Sequence, residues 1–310
     1  MKNILITFLT VFSFIFSINA NSDYPSGPVK FIVPWYPGDF ESVLTEIIAE
    51  NWKNETGMEA TVLNRFKGNV PWDGVLEVLN APADGSVIGS FLGGIQQFGP
   101  LMDIGIEKDS FEPIGIFLTY PFVLATLDKN PYKNLKELSE HAKSNNVVFG
   151  HLGSGLVPTK SSLAAVKKLG FEFSNVIETG FLDCDTLTSG EADVINTTFV
   201  LIESCLDQIN ILASIGEKRI NKIPNVETIS EQTGINNIEM WNGLFVKKGT
   251  PQEIKDKIEE IAKNAILDEV AQELMNMTGA RVYWQGQKSS KERLETDTKK
   301  LAELNALLQY

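Results

Sequence analysis

Short apolar runs bounded by Gly, Pro and polar clusters alternate with longer stretches whose apolar residues recur every three to four positions. The short runs predict strands at Lys30–Pro34, Ala60–Leu63, Val87–Phe91, Phe122–Thr126, Val147–Gly150, Val176–Glu178, Asp193–Asn196, Ile211–Ser214 and Leu244–Val246. Amphipathic helices are predicted between most of them. Such alternation predicts parallel α/β sheets, whose ligands sit at the carboxyl ends of the strands. Asn134-Leu-Lys-Glu137 and Thr250-Pro-Gln-Glu253 read as capping boxes, with Pro251 at a first helical position, and Ser289-Ser-Lys-Glu292 reads as the opening of the last helix. From Pro251 onward the chain reads as largely helical, with Ile254, Ile258 and Ile261 as core contacts. No internal repeat or long linker interrupts the pattern, so two lobes must be joined by short connections, expected near Leu118–Pro121 and Gly234–Trp241.

The first twenty residues change the picture. Lys2 precedes an apolar stretch from Ile4 to Ile18, and Ile18-Asn19-Ala20 ends in a small residue, as a secretory signal cleaved after Ala20 would. A membrane anchor is the alternative, disfavoured because the stretch is short and runs into Asn19, Asn21, Ser22 and Asp23. What remains is too long for one minimal domain and suits two lobes. The net charge of −13, which becomes −14 without Lys2, argues against nucleic acid or anionic membranes as partners and suits a soluble monomer. Cys184 and Cys205 are a candidate disulfide pair in an exported protein, or else two small buried side chains. With only His141 and His151, and no CxxC, no metal site and no cofactor are expected.

Three strand-to-helix segments carry candidate chemistry. In Lys30-Phe-Ile-Val-Pro-Trp-Tyr-Pro-Gly-Asp-Phe-Glu-Ser42, a tight Pro37-Gly38 turn leads into a helix whose unpaired N–H groups suit an anion. The plainer reading is an ordinary turn with Asp39 or Ser42 as N-cap. In Phe149-Gly-His-Leu-Gly-Ser-Gly-Leu-Val-Pro158, Gly153, Ser154 and Gly155 form a loop whose amides could hold an anion. The spacing fits neither a nucleophile elbow nor a Walker loop. Gly93-Gly94-Ile95-Gln96-Gln97 either brings backbone near a ligand or is a plain loop.

Taken in order, a series of short segments resembles the tripartite tricarboxylate transporter substrate-binding proteins, the Bug family. The segments are Tyr24-Pro25…Pro34, Pro37-Gly38, Asn64-Arg65, Ala83-Asp84-Gly85, Phe111-Glu-Pro-Ile-Gly, the Gly150/Gly153/Gly155/Pro158 pattern, Gly190-Glu-Ala-Asp193, Arg219, Pro224-Asn-Val226, Trp241-Asn-Gly-Leu-Phe245 and Gly249-Thr250-Pro251. The resemblance implies an α/β, two-lobed periplasmic binding protein of the Venus-flytrap, type II-like class with two inter-lobe chain crossings. It places one lobe at 21–120 and 235–310, after a signal at 1–20, and the other at 121–234. A small organic acid would sit in the cleft, its carboxylate held by loop backbone groups and water. The loaded form would deliver it to a membrane permease of one large and one small subunit. Closure of the lobes on the ligand would be the whole mechanism, with no enzymatic step.

The candidate ligand-binding residues are Trp35, Tyr36, Pro37, Gly38, Asp39, Phe40, Ser42, Trp72, Gly94, Gln96, His151, Gly153, Ser154, Gly155, Thr179, Gly180, Thr197 and Thr198. Several depart from the family. One glycine, Gly38, stands where relatives have two or three, and it is followed by Asp39 and Phe40. Ser42 replaces an aspartate, the run after Arg65 reads Phe-Lys-Gly-Asn-Val-Pro-Trp, and Thr197-Thr198 replaces Asp-Asn. Loop drift explains these changes. So does altered ligand choice, with Trp35, Tyr36, Phe40 and Trp72 as an aromatic wall and with Asp39 and Glu41 disfavouring a plain anion in favour of a solute bearing an amino or hydroxyl group. The acids also fit first-turn positions that stabilise the helix dipole. Two other functions share these features: a sensing subunit read by a membrane kinase, and a secreted hydrolase using Ser154 with His151, for which no acid partner is legible.

Overall fold

The computed structural model describes residues 24–308, so the expected signal segment lies outside the described residues. The strands are β1 (Val29–Val33), β2 (Ala60–Asn64), β3 (Val87–Leu92), β4 (Phe111–Thr119), β5 (Phe122–Leu127), β6 (Val148–His151), β7 (Asn175–Glu178), β8 (Val194–Thr198), β9 (Ile209–Ile215), β10 (Trp241–Lys247) and β11 (Arg281–Gly286). The helices are α1 (Phe40–Thr56), α2 (Trp72–Asn80), α3 (Ile95–Phe98), α4 (Leu135–Ala142), α5 (Val157–Lys168), α6 (Cys184–Thr188), α7 (Phe199–Ile202), α8 (Ile229–Thr233), α9 (Gln252–Leu267), α10 (Glu269–Thr278) and α11 (Gln287–Leu308).

Two sheets form two lobes. The first has the order β11-β4-β10-β3-β1-β2 and the second β7-β6-β8-β5-β9. Alternate residues of a strand face opposite sides of a sheet, and both sides are covered here. On β1, Phe31 joins the apolar cluster under α1 and α9, while Ile32 joins the opposite cluster with Val75, Val78, Phe91 and Phe245. On β5, Leu124 faces one side and Val123 and Ala125 the other, against Leu182, Leu187 and Phe199. Trp52 is fully buried between Phe31 and Tyr24, edge-on to both rings.

Strand directions decide where the cleft lies. β1 runs parallel to β3, and β10 runs antiparallel to both β3 and β4, so β4 ends at the same edge as β1 and β3. In the second lobe β5 is antiparallel to β8 and β9, so β5 begins, and β9 ends, at the carboxyl edge of β6 and β8. The chain crosses through Tyr120-Pro121 from β4 to β5 and returns through 216–240 from β9 to β10. Both crossings therefore join the two carboxyl edges, which must face each other. The crossings hydrogen-bond to each other, Tyr120 N to Met240 O at 2.9 Å.

Helix α11 then returns to pack on α5 of the second lobe, with Leu301 and Leu304 buried in the shared core. Cys184 and Cys205 form a disulfide with Cα atoms 6.1 Å apart, pinning α6 to the turn before β9. The crosslink spans a separation of 21 residues. Replacing both cysteines with alanine should lower stability by about 3 kcal/mol, from loop-closure entropy alone. A denaturation midpoint unchanged by the double substitution would refute that figure.

Two strands escape the sequence reading. β4 carries Pro113, which sits at a register shift opposite Phe245, where a missing N–H is tolerated. β11 is an edge strand inside the segment read as helical. Helix starts also differ. Asn134 accepts from Glu137 N as expected, but Glu137 reaches back to Lys133 N. Thr250 caps nothing, donating instead to Lys247 O, and α11 opens at Gln287 rather than near Ser289. Full capping boxes stand at Asp183/Thr186 and Thr228/Glu231.

Candidate functional site

The facing edges are lined by the turns after β1, β3, β6 and β7. On the first lobe Gly38 adopts φ +87°, which a side chain would strain, and the turn exposes Trp35, Tyr36 and Pro37. Trp35 and Tyr36 pack edge-on with centroids 5.6 Å apart, and Tyr36 leans on Phe66 at 5.4 Å. The turn is tied down by Asn64, whose side chain donates to Trp35 O at 3.2 Å and to Ser42 Oγ at 3.0 Å. Arg65 is spent on Glu77 of α2 through two hydrogen bonds. The Asn64-Arg65 pair is thus scaffold for the turn.

The acids at the start of α1 behave unlike ordinary first-turn carboxylates. Asp39 occupies the N-cap position with extended backbone, yet its side chain makes no capping hydrogen bond. It accepts from Trp35 instead, and partial desolvation of this otherwise exposed side chain raises its carboxyl above the usual range. Glu41 is buried. Burial pushes its carboxyl up to about 7, opposed by its own backbone N–H and by Tyr120, and reinforced by Asp39. Tyr120 Oη donates to Glu41 Oε2 at 2.9 Å, and burial, then Glu41, drives the phenol well above its usual value. Tyr120 belongs to the first crossing, so Glu41 links the start of α1 to the hinge. The carboxyl also occupies a backbone N–H that was expected to receive a ligand anion.

The second lobe repeats this arrangement. Gly153 N donates to His151 Nδ1 at 3.1 Å, and Ser154 N donates to Glu178 Oε2 at 2.9 Å. His151 is buried, and burial holds its pKa below the usual value despite Glu178 at 3.9 Å. Two amides of the glycine-rich loop are therefore satisfied by the protein itself. Among the described residues, no hydrogen bond joins His151 to Ser154 Oγ, as a nucleophile and its base would require.

The remaining candidates divide. Gly155, Thr179 and Gly180 lie on the turns beside His151, with Thr179 N bonded to His151 O at 3.1 Å. Phe40 is half-buried against Tyr120, and Thr198 is the half-buried start of α7. Gly94 opens α3 at the first-lobe edge. Ser42, Gln96 and Thr197 are buried and spend their polar atoms on Asn64 and Glu46, Phe111 O and Leu182 O respectively, which makes them framework. Trp72 packs its ring on the cluster around Ile32 and Val75.

Sequence reasoning passed over Tyr120, Glu178 and Phe66, and also Lys160, at the end of the first turn of α5. Its ammonium lies 5.6 Å from the Phe98 ring of α3 and donates to Asn305 Oδ1 of α11 at 3.0 Å. The legible signal was a cation near a helix N-terminus, where the dipole disfavours positive charge.

A family model described as tripartite tricarboxylate transporter family receptor matches residues 78–306. The UPF0065 protein from the TAR-I ttuE-ttuC' intergenic region of Agrobacterium vitis is 26% identical over 258 residues, which is 80% of this chain and 74% of that protein. The solved structure of a TctC solute-binding protein from Polaromonas superposes with a TM-score of 0.77 at 20% identity, covering 92% of this chain and 99% of that one. The structure of R. palustris Rpa4515 with adipate also gives 0.77, at 18% identity over 92% and 98% of the two chains. At these identities the structural likeness shows a shared two-lobed fold.

Proposed function

We propose, from the premise that this chain belongs to the tripartite tricarboxylate transporter receptor family, that its cleft captures a small organic acid bearing an additional hydrogen-bond donor, such as an amino or hydroxyl group. The loaded protein then hands the acid to a permease of one large and one small subunit. The family consists of periplasmic solute-binding proteins, and the binding event itself is the task. Adipate in the solved relative supports an acid as the solute.

The observation that carries the finer reading is the state of Asp39. Its carboxylate stands at the head of α1 without capping the helix, beside the exposed Trp35 and Tyr36 rings. A ligand carboxylate there would meet a like charge, whereas an amine or hydroxyl would find an acceptor. The rings supply an apolar wall for the ligand's carbon skeleton. Lobe closure follows because the ligand contacts both carboxyl edges and so favours the closed arrangement.

The test is a thermal-shift panel on the mature chain with mono-, di- and tricarboxylates, hydroxy acids, amino acids and aromatic acids. At least one amino or hydroxy acid should raise the melting temperature by several degrees at saturation. Asp39→Gly should move the preference toward unsubstituted carboxylates. A panel with no stabilising member would sink the proposal, and an unchanged ranking in Asp39→Gly would remove Asp39 from it.

A further inference from the structure

Lys160 sits on α5, directly after the second-lobe loop at the carboxyl end of β6. Phe98 sits on α3, directly after the first-lobe turn at the carboxyl end of β3. A 5.6 Å separation between ammonium and ring therefore places the charge between the two facing edges. An ammonium offers three donors. One goes to Asn305 Oδ1, a neutral acceptor at 3.0 Å, and among the described residues no carboxylate lies within ion-pair distance. Half-burial without a counter-charge is costly, and it lowers the pKa of Lys160 through desolvation. Of the other charged groups near the two turns, Asp39, Glu41 and Glu178 are acids, two of which fill the backbone cradles an anion would otherwise use, and Lys67 lies over the Phe66 ring at 5.6 Å.

We propose that Lys160 receives the carboxylate of the bound solute, so that this chain replaces backbone-only anion binding with an ion pair formed between the lobes. The assignment rests on the organic-acid reading above and adds the residue that pairs the acid's charge. An acid entering the cleft would take the ammonium's two free donors. Because Lys160 already reaches from the second lobe to Phe98 of the first, its neutralisation would occur where the lobes meet. The solute would then lie with its carboxylate toward α5 and its donor group toward Asp39.

The experiment compares the wild-type mature protein with Lys160→Met, which keeps the aliphatic stem, and with Lys160→Arg, which keeps the charge. Each is titrated calorimetrically with the panel acid that stabilises the wild type most, starting with adipate and its hydroxy and amino analogues, and with the corresponding primary amide. Lys160→Met should weaken the acid about 10- to 100-fold, the range for a hydrogen bond to a charged group, and should change the amide by no more than about threefold. Lys160→Arg should stay within about tenfold of wild type for the acid. Equal losses for acid and amide, in either Lys160→Met or a Lys160→Gln control, would mean a structural role and overturn the assignment. Full affinity for the acid in Lys160→Met overturns it too, while leaving the organic-acid reading intact. No panel acid binding to wild type would defeat both.

Discussion

Glu41→Gln is expected to stabilise the protein at pH 8 by about 3 kcal/mol and to leave it nearly unchanged at pH 4, since 2.5 pKa units correspond to roughly that energy. The sign follows from proton counting. The folded carboxyl titrates at about 7 and the unfolded one at its ordinary value of 4.5. Between those values the native state holds a proton that the unfolded chain has released. Stability therefore falls as pH rises through that window, and the full cost of ionising a buried acid is present above pH 7. Tyr120 faces Glu41 directly, and Asp39 adds like charge from the preceding turn. Glutamine keeps an acceptor for the Tyr120 hydroxyl and removes the titration. The check is chemical denaturation of both proteins from pH 4 to pH 9, read as a difference so that the other carboxylates cancel. Parallel stability curves would show that Glu41 is not the titrating group.

The second large effect is expected at Glu239, on the return crossing. Glu239 is buried, and Oε2 accepts from Arg281 and Arg293 while Oε1 accepts from Glu217 N at 3.1 Å. Arg293 also pairs with Asp297 on α11, and Asp297 in turn accepts from Trp241 Nε1 at 2.8 Å. Glu217, at the start of the return crossing, completes the set through Arg293 and Lys300. One network therefore ties both ends of the return crossing to α11. Glu239→Ala would leave two guanidinium groups facing a gap, and removing one partner of a buried ion pair costs about 3–5 kcal/mol. Denaturation at low and high salt should show that loss persisting, because buried pairs are weakly screened. A loss below about 1 kcal/mol would place the pair's energy with exposed surface bridges instead. Restoring stability by adding Arg281→Met to Glu239→Ala would confirm that the stranded charge carries part of the cost.

The strands that were legible along the chain are those whose signal is local. β1, β3, β5 and β9 are short apolar runs closed by turn residues, and their pattern survives in any context that buries both faces. β4 was not legible because Pro113 contradicts a central strand until its partner, Phe245, is seen to shift register there. β11 was not legible because an edge strand between helices needs only one neighbour. The turn residues of the site, Trp35 to Phe40 and His151 to Gly155, were legible as turns. Their roles were not. Ser42, Gln96 and Thr197 have side chains suited to a ligand, and only packing shows those side chains turned inward to the framework.

By itself the sequence determined the α/β alternation, the short first crossing and the order of the family's signposts, because periodicity, turn chemistry and spacing act over a few neighbouring residues; the return crossing, expected as a short connection near Gly234–Trp241, instead runs through 216–240 and carries α8. Only the tertiary structure decided where the charges fall. Glu41 meets Tyr120, Glu178 meets Ser154, Cys184 meets Cys205 and Lys160 meets Phe98 across 79, 24, 21 and 62 positions of chain. No local rule places such pairs. They arise when strand direction brings the carboxyl edges face to face, and burial then sets which carboxyl is protonated and which ammonium is left without a counter-charge.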